Sequence, residues 1–265
     1  MTQTGTTETW DRGDAYDRYV GRWSTRVAQV FLDWLGLPPA LRWLDVGCGT
    51  GALTAEILDR CAPSSVVGVE PSEAFLTEAK ERLGVRAELH RALADAIPLP
   101  DASVDVTVSG LVLNFVPDAR AAVAEAKRVT RAGGAIAAYV WDYAGHMQLM
   151  RYFWDAAVEL DPAAPDEGPR FPISDPGRLE ELFAGAGLTG PHARSIDVPT
   201  TFTDFDDYWQ PFLGGQGPAP TYAMSLDEPA RNRLRDRIRE QLPIRGDGSI
   251  PLVARAWAVR ASVAA

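Results

Sequence analysis

The sequence predicts an α/β fold: a doubly wound, mostly parallel sheet in a chain of 265 residues. Three observations predict it. From residue 41 onward, short apolar, β-branched runs alternate with longer amphipathic stretches, the pattern of strands joined by helical crossovers. The first apolar run empties into a glycine-rich turn, WLDVGCGTG at 43–51. The second run ends on an acid, Glu70, in SVVGVE. A hydrophobic content of 46% suits one domain with insertions.

The elements follow in order. The first forty residues carry no strand signal, and 15–35 reads as one or two helices. LRWLDVG is the first strand and TAEILDRC the first crossover helix; SVVGVE and SEAFLTEAKERLG repeat the unit. Ser72 is placed to cap that second helix and Gly84 to end it with a left-handed residue. VRAELHRA is a third strand and VDVTVSGLVL a fourth. DARAAVAEAKRVTRAGG is a helix that the Gly133-Gly134 pair would close, and AIAAYVW makes the fifth parallel strand. Beyond Trp141 the reading gives a helix at 147–160, a proline-rich link (DPAAPDEGPRFPISDP) and a helix at 177–187. An extended stretch at 193–202 and helices at 205–212 and 227–242 follow, and LVARAWAVRA alternates as a late strand. The predicted organisation is an N-terminal helical segment at 1–40, a core at 41–145, and helical insertions with final strands at 146–265 in the same domain.

Composition narrows the function. A net charge of −10 repels a phosphate backbone, which argues against a nucleic-acid partner. No apolar stretch approaches the roughly 20 residues that span a bilayer. The first thirty residues lack the basic start and apolar middle of a signal peptide, so a cytoplasmic protein without membrane attachment is expected, monomeric or homodimeric. Two cysteines, Cys48 and Cys61, form no disulfide framework and have no histidines at metal spacing, so no metal is expected.

The glycines at 47, 49 and 51 stand in the turn from the first strand to the first helix, at the edge where open α/β sheets bind ligands. Their spacing is G-x-G-x-G. A dinucleotide fingerprint needs G-x-G-x-x-G, and a phosphate loop ends in Gly-Lys-Ser/Thr; neither is present. Asp45, two residues before the first glycine, disfavours a pyrophosphate and favours a cationic group by Coulomb attraction. Glu70 is placed to accept from both hydroxyls of a ribose, and Asp95, in LADAIPLPD, from an exocyclic amine. Together these acids describe a ligand with an adenine, a free ribose diol, a positive centre and no phosphate.

WLDVGCGTG, GVEPS, LADAIPLPD, VDVTVSGLVLNFVPD and EAKRVTRAGG resemble, in order and spacing, the motifs of class I S-adenosylmethionine-dependent methyltransferases. The likeness is to the small-molecule group that includes ubiquinone/menaquinone-biosynthesis-like enzymes, and it covers about residues 41–141. It implies a Rossmann-like seven-stranded sheet whose last strand, LVARAWAVRA, is antiparallel. It also implies S-adenosylmethionine as cofactor and a small-molecule acceptor as partner. By the same likeness, the loop of Gly47, Cys48, Gly49 and Gly51 packs against the methionine part, with Glu70, Pro71 and Ser72 at the ribose. Asp95, Ala96 and Ile97 would frame the adenine, and Ser109 and Leu111 would lie beside the sulfonium. WDRGDAYDRYVGRWS resembles the helical lid of such enzymes: Tyr19 and Arg22 face the cofactor, Tyr16 and Trp23 the acceptor.

For the acceptor, the aromatic-rich WDYAGHMQLMRYFW and FDDYWQPFLGG supply Trp141, Tyr143, Tyr152, Phe153 and Trp209 as an apolar wall, and Asn114 as a polar contact. An apolar or aromatic acceptor fits best. Methyl transfer is an in-line displacement accelerated chiefly by alignment in a dry pocket; for a hydroxyl acceptor, His146 is the candidate general base. Two other functions compete. A dehydrogenase would carry a Tyr-x-x-x-Lys pair, and Lys80 and Lys127, the only lysines, form none. A cofactor-binding regulatory or assembly protein without catalysis is compatible with the same loop.

Overall fold

The computed structural model describes residues 22–214 and 217–265. Its seven strands form one sheet in the order β3-β2-β1-β4-β5-β7-β6. The strands are β1 (Arg42–Val46), β2 (Ser65–Glu70), β3 (Glu88–Arg91), β4 (Val104–Gly110), β5 (Thr130–Trp141), β6 (Thr189–Phe202) and β7 (Ile250–Ser262). The first five run parallel, and β7 runs antiparallel to β5, from Ala135 opposite Ser262 to Trp141 opposite Ala256. The strand order reverses between β1 and β4, so the carboxyl ends of those two strands flank the crevice where such sheets hold ligands.

Near-continuous burial explains the central strands. β1 and β2 bury every residue but the first, as strands covered on both faces must. Leu44, Val46, Val67, Val69, Val104 and Val129 pack on one another with Ile97. On the other side of the switch, Ile136, Ala138 and Val140 meet Val123, Leu179 and Phe183. The helix α1 (Arg22–Leu35) lays Phe31, fully buried, on Tyr139 of β5 at 4.7 Å between ring centroids. Crossovers are made by α2 (Ala52–Arg60), α3 (Glu73–Leu83) and α4 (Ala119–Val129). Ser72 caps α3 by accepting from Phe75 N–H, and Asp118 caps α4 by accepting from Ala121 N–H at 2.9 Å.

Several boundaries differ from the sequence reading. The Gly133-Gly134 pair does not close α4, which ends at Val129; both glycines lie within β5, where its register against β4 shifts between Val104 and Val106. A side chain at Gly134 would come 2.7 Å from the Asp105 carbonyl oxygen, so the glycine serves strand packing. Gly84 takes the positive φ expected of it, 59°, but with ψ −133° it lies outside the left-handed helical well. Two helices were not foreseen: α6 (Glu167–Arg170) inside the proline-rich link, and α9 (Pro218–Ser225).

The chain divides into two compact units. One holds 23–142, 171–198 and 255–265, with the carboxyl ends of β1, β2, β4 and β5; the other holds 143–170 and 199–254 among its described residues. The second unit has α5 (Gln148–Leu160), α8 (Phe205–Trp209) and α10 (Glu228–Gln241) around an aromatic core. Phe153 stacks on Phe212 at 4.6 Å and 13°, and Trp154 packs edge-on to Phe153. The buried polar tips there are satisfied: Trp154 Nε1 donates to Glu167 Oε2 and Tyr208 Oη to the Leu149 carbonyl, both at 2.8 Å. Among the described residues no helix is long and apolar enough to cross a membrane.

Candidate functional site

The sequence from β1 into α2 must reverse the chain in five residues, and glycine makes that possible. Gly47 and Cys48 donate their N–H groups to the Val69 carbonyl of β2 at 2.8 and 3.0 Å, and Gly51 donates to the Cys48 carbonyl at 2.8 Å. All three glycines have positive φ, yet each has its own reason. A Cβ at Gly47 would strike Val112 Cγ1 at 2.5 Å, and one at Gly51 would strike Leu83 Cδ1 at 2.9 Å. Gly49 meets nothing within 4 Å; it is the glycine of the loop that faces open space. Cys48 is buried with its Sγ against Gly68, and burial, with the charges of Asp45 and Glu70, holds its thiol protonated. It is a packing residue of the loop.

Two carboxylates flank the turn. Glu70, at the end of β2, accepts from Gly49 N–H at 3.1 Å through one oxygen and from Ser72 N–H at 3.0 Å through the other. Burial raises its pKa, against the pull of those two bonds. Each oxygen keeps a further lone pair for a ligand. Asp45 is buried more deeply, at 1% exposure. Thr54 Oγ1 donates to its Oδ2 at 2.7 Å, while Oδ1 is buried with no hydrogen-bond partner. Loss of water around it, reinforced by the Glu70 charge, pushes the Asp45 carboxyl up to about 7. An unmatched buried acceptor costs roughly 1–3 kcal/mol and is the kind of group a ligand satisfies.

The remaining predicted residues fall around this edge or away from it. Ser109 donates to the Val46 carbonyl at 2.9 Å, so its proton ties β4 to β1. Leu111 holds φ 63°, a strained value for a leucine, with its N–H on the Tyr139 carbonyl at 2.7 Å. Asp95 and Ala96 are exposed, as is Pro71. Ile97 is buried in the core, and its N–H is taken by Glu125 Oε2 at 3.1 Å; its side chain is a core group, and its N–H is committed within the fold. Asn114 follows β4 with both amide atoms buried and unpartnered. Trp141 ends β5 with 2% exposure and an unpartnered indole N–H. Trp23 is buried on α1, with Arg26 5.4 Å from its ring centroid. Tyr16 and Tyr19 lie outside the described residues, as does the side chain of Arg22.

Tyr143, His146, Tyr152, Phe153 and Trp209 belong to the other unit. Phe153 and Trp209, read from the sequence as an acceptor wall, are instead buried in its aromatic core; Phe153 is fully covered by Phe212 and Trp154. Tyr143 is also buried, Tyr152 is half-buried and His146 is exposed.

The sequence reading missed three supports. Thr54 orients Asp45; its signal is a lone hydroxyl in the first turn of an apolar helix. Tyr139 presses its hydroxyl 2.6 Å from where a Gly110 Cβ would stand. Arg128 donates to the carbonyls of Ile97 and Leu99, both at 2.9 Å, and with Glu125 pins the loop after β3.

The raised Asp45 carboxyl makes stability depend on pH with a definite sign. The folded state keeps a proton that the unfolded chain loses near the ordinary value of 3.8, so this contribution falls as pH rises from about 4 to about 7. Across that window the loss is on the order of 4 kcal/mol. Asp45→Asn keeps an acceptor for Thr54 without the charge. Its thermal midpoint relative to wild type should therefore climb steadily between pH 4 and 7; a constant difference across that range would contradict the assignment.

Comparison with known proteins agrees with this geometry. A sequence profile described as a methyltransferase domain matches residues 44–138, the stretch from β1 to β5. Trans-aconitate 2-methyltransferase of Variovorax paradoxus is 32% identical over 69% of this chain and 68% of its own. Malonyl-[acyl-carrier protein] O-methyltransferase of Geobacter sulfurreducens is 32% identical over 71% and 69%. Another curated relative is matched over only 31% of its length. In fold, the YcgJ protein of Bacillus subtilis aligns with a TM-score of 0.59 at 17% identity, over 91% of this chain and 99% of that one. With its G-x-G-x-G turn, its two buried carboxylates and its 3-2-1-4-5-7-6 sheet, the chain belongs to the class I S-adenosylmethionine-dependent methyltransferases.

Proposed function

We propose that the protein methylates a small acceptor with an apolar or aromatic body at the carboxyl edge of β1, β2, β4 and β5. The observation that carries this is the pair of buried carboxylates around an open glycine turn. Asp45 Oδ1 lacks a partner, and Glu70 is held rigidly by two backbone N–H groups. Such a cup repels a pyrophosphate and suits a cationic ligand with a diol. S-adenosylmethionine, when bound, supplies an electrophilic methyl group on a positively charged sulfur. The chain's own part is to bind and align. Gly49 lets the backbone approach the ligand, Glu70 accepts from the ribose hydroxyls, and Asp95, exposed on the loop after β3, accepts from the adenine amine.

Leu111 and Trp141, both buried at the ends of β4 and β5, supply apolar surface that excludes water from the reacting atoms. Names of relatives point to small acids and carrier-bound acyl groups as the acceptors of those proteins; an oxygen nucleophile is the corresponding reading here.

One measurement bears on this reading. Glu70→Ala should weaken S-adenosylhomocysteine binding roughly 10- to 100-fold, the worth of a charge-assisted hydrogen bond; unchanged affinity would remove Glu70 from the ribose site.

A further inference from the structure

Buried polar groups in this protein are generally paired. Thr107 and Thr130 hydroxyls meet at 2.6 Å, Ser109 reaches Val46, Trp154 reaches Glu167, and Tyr208 reaches Leu149. Against that background, two side chains at or just past the carboxyl ends of adjacent strands stand out. Trp141, the last residue of β5, buries its indole Nε1–H without an acceptor, and Asn114, four residues beyond β4, buries both Oδ1 and Nδ2 without partners. The β4/β5 ladder runs up to Gly110 opposite Tyr139, so both residues follow its last rungs by a few positions. Trp43 Nε1, Ser174 Oγ and Thr200 Oγ1 are also unpartnered, but Trp43 lies at the amino end of β1, and the two hydroxyls follow no central strand.

A buried group left unmatched in the free protein, at the edge where this fold binds ligands, is explained by a ligand that matches it. The chemistry is restrictive. An indole N–H only donates, and an amide both donates and accepts. A purely hydrocarbon acceptor would leave all three atoms unpaired. Two backbone features fix the segment that carries Asn114: Leu111 is held in its left-handed conformation with its N–H on the Tyr139 carbonyl, and Asn114 sits in the tight turn over Leu113–Phe115.

We infer that Trp141 and Asn114 are the polar recognition groups for the methyl acceptor, and that the acceptor presents a carbonyl or carboxylate oxygen to them beside its apolar body. The inference deepens the proposed function and rests on its placing of the acceptor at this edge. Trp141 donates to the oxygen; Asn114 donates to the same functional group and accepts from a neighbouring hydroxyl or N–H. These are binding contacts, and they select among acceptors.

The test uses the whole protein labelled with 15N-tryptophan and saturated with S-adenosylhomocysteine. The Trp141 indole signal is assigned by its loss in Trp141→Phe. Benzoate and acetophenone are the oxygen-bearing probes and toluene the shape control. The inference predicts that benzoate or acetophenone shifts the Trp141 indole proton downfield while toluene does not, and that Trp141→Phe weakens binding of the shifting probe about tenfold. S-adenosylhomocysteine binding with no indole shift from either oxygen probe would overturn the inference alone. Failure of S-adenosylhomocysteine to bind would overturn the reading beneath it as well. Stability gives an independent check: Asn114→Leu removes an unmatched amide, so the free protein should keep or raise its thermal midpoint, and a clear drop would show that Asn114 is a structural hydrogen-bonding residue.

Discussion

The structure turns on holding two carboxylates out of water at the ends of adjacent parallel strands. Asp45 and Glu70 are both buried, burial raises the cost of ionising each, and the Glu70 charge adds to that cost at Asp45. The fold holds them by short local constraints: two backbone N–H groups fix Glu70, the Thr54 side-chain hydroxyl fixes Asp45, and the strand register between β1 and β2 fixes their separation. A cation arriving between them lowers that cost. The free protein thereby holds an unmatched acceptor, Asp45 Oδ1, and a fixed Glu70 in place for that ligand, a form of preorganisation.

The glycine turn follows from the same constraint. Glu70 can accept from Gly49 N–H only if the loop folds back over the end of β2, and that return requires positive φ at three positions. Packing against Val112 and Leu83 then closes Gly47 and Gly51, leaving Gly49 as the open position. Across the topological switch, β4 is stitched to β1 by Ser109, and its exit is bent by Leu111. The loop after β3 is held by Arg128 and Glu125 from α4. Three crossovers therefore converge on one edge, each by a named hydrogen bond.

Much of this was legible in the sequence because the signals are local. Strand, turn and acid sit within nine residues in WLDVGCGTG, and Glu70 closes a strand whose length is set by its apolar run. The strand β7 was legible from its alternation, and its antiparallel sense only from the resemblance of the preceding motifs. What was not legible depends on tertiary packing. A glycine pair after a helix has the same local appearance as a helix stop, and only the approach of Asp105 shows that Gly134 serves the sheet. Phe153 and Trp209 had the composition of a pocket wall, but composition is identical for a wall and a core; stacking on Phe212 settles Phe153 as core. Thr54 was silent because one hydroxyl in an apolar helix has no distinguishing pattern until Asp45 is seen beside it.

The central claim is that the acid-flanked turn holds an S-adenosyl cofactor and rejects a pyrophosphate. Calorimetric titration of the wild-type protein with S-adenosylhomocysteine, and separately with NAD, tests it most directly. S-adenosylhomocysteine should bind saturably in the micromolar range, about −8 kcal/mol, and NAD should give no heat of binding. Binding of NAD with equal or greater affinity, or silence with S-adenosylhomocysteine, would contradict it.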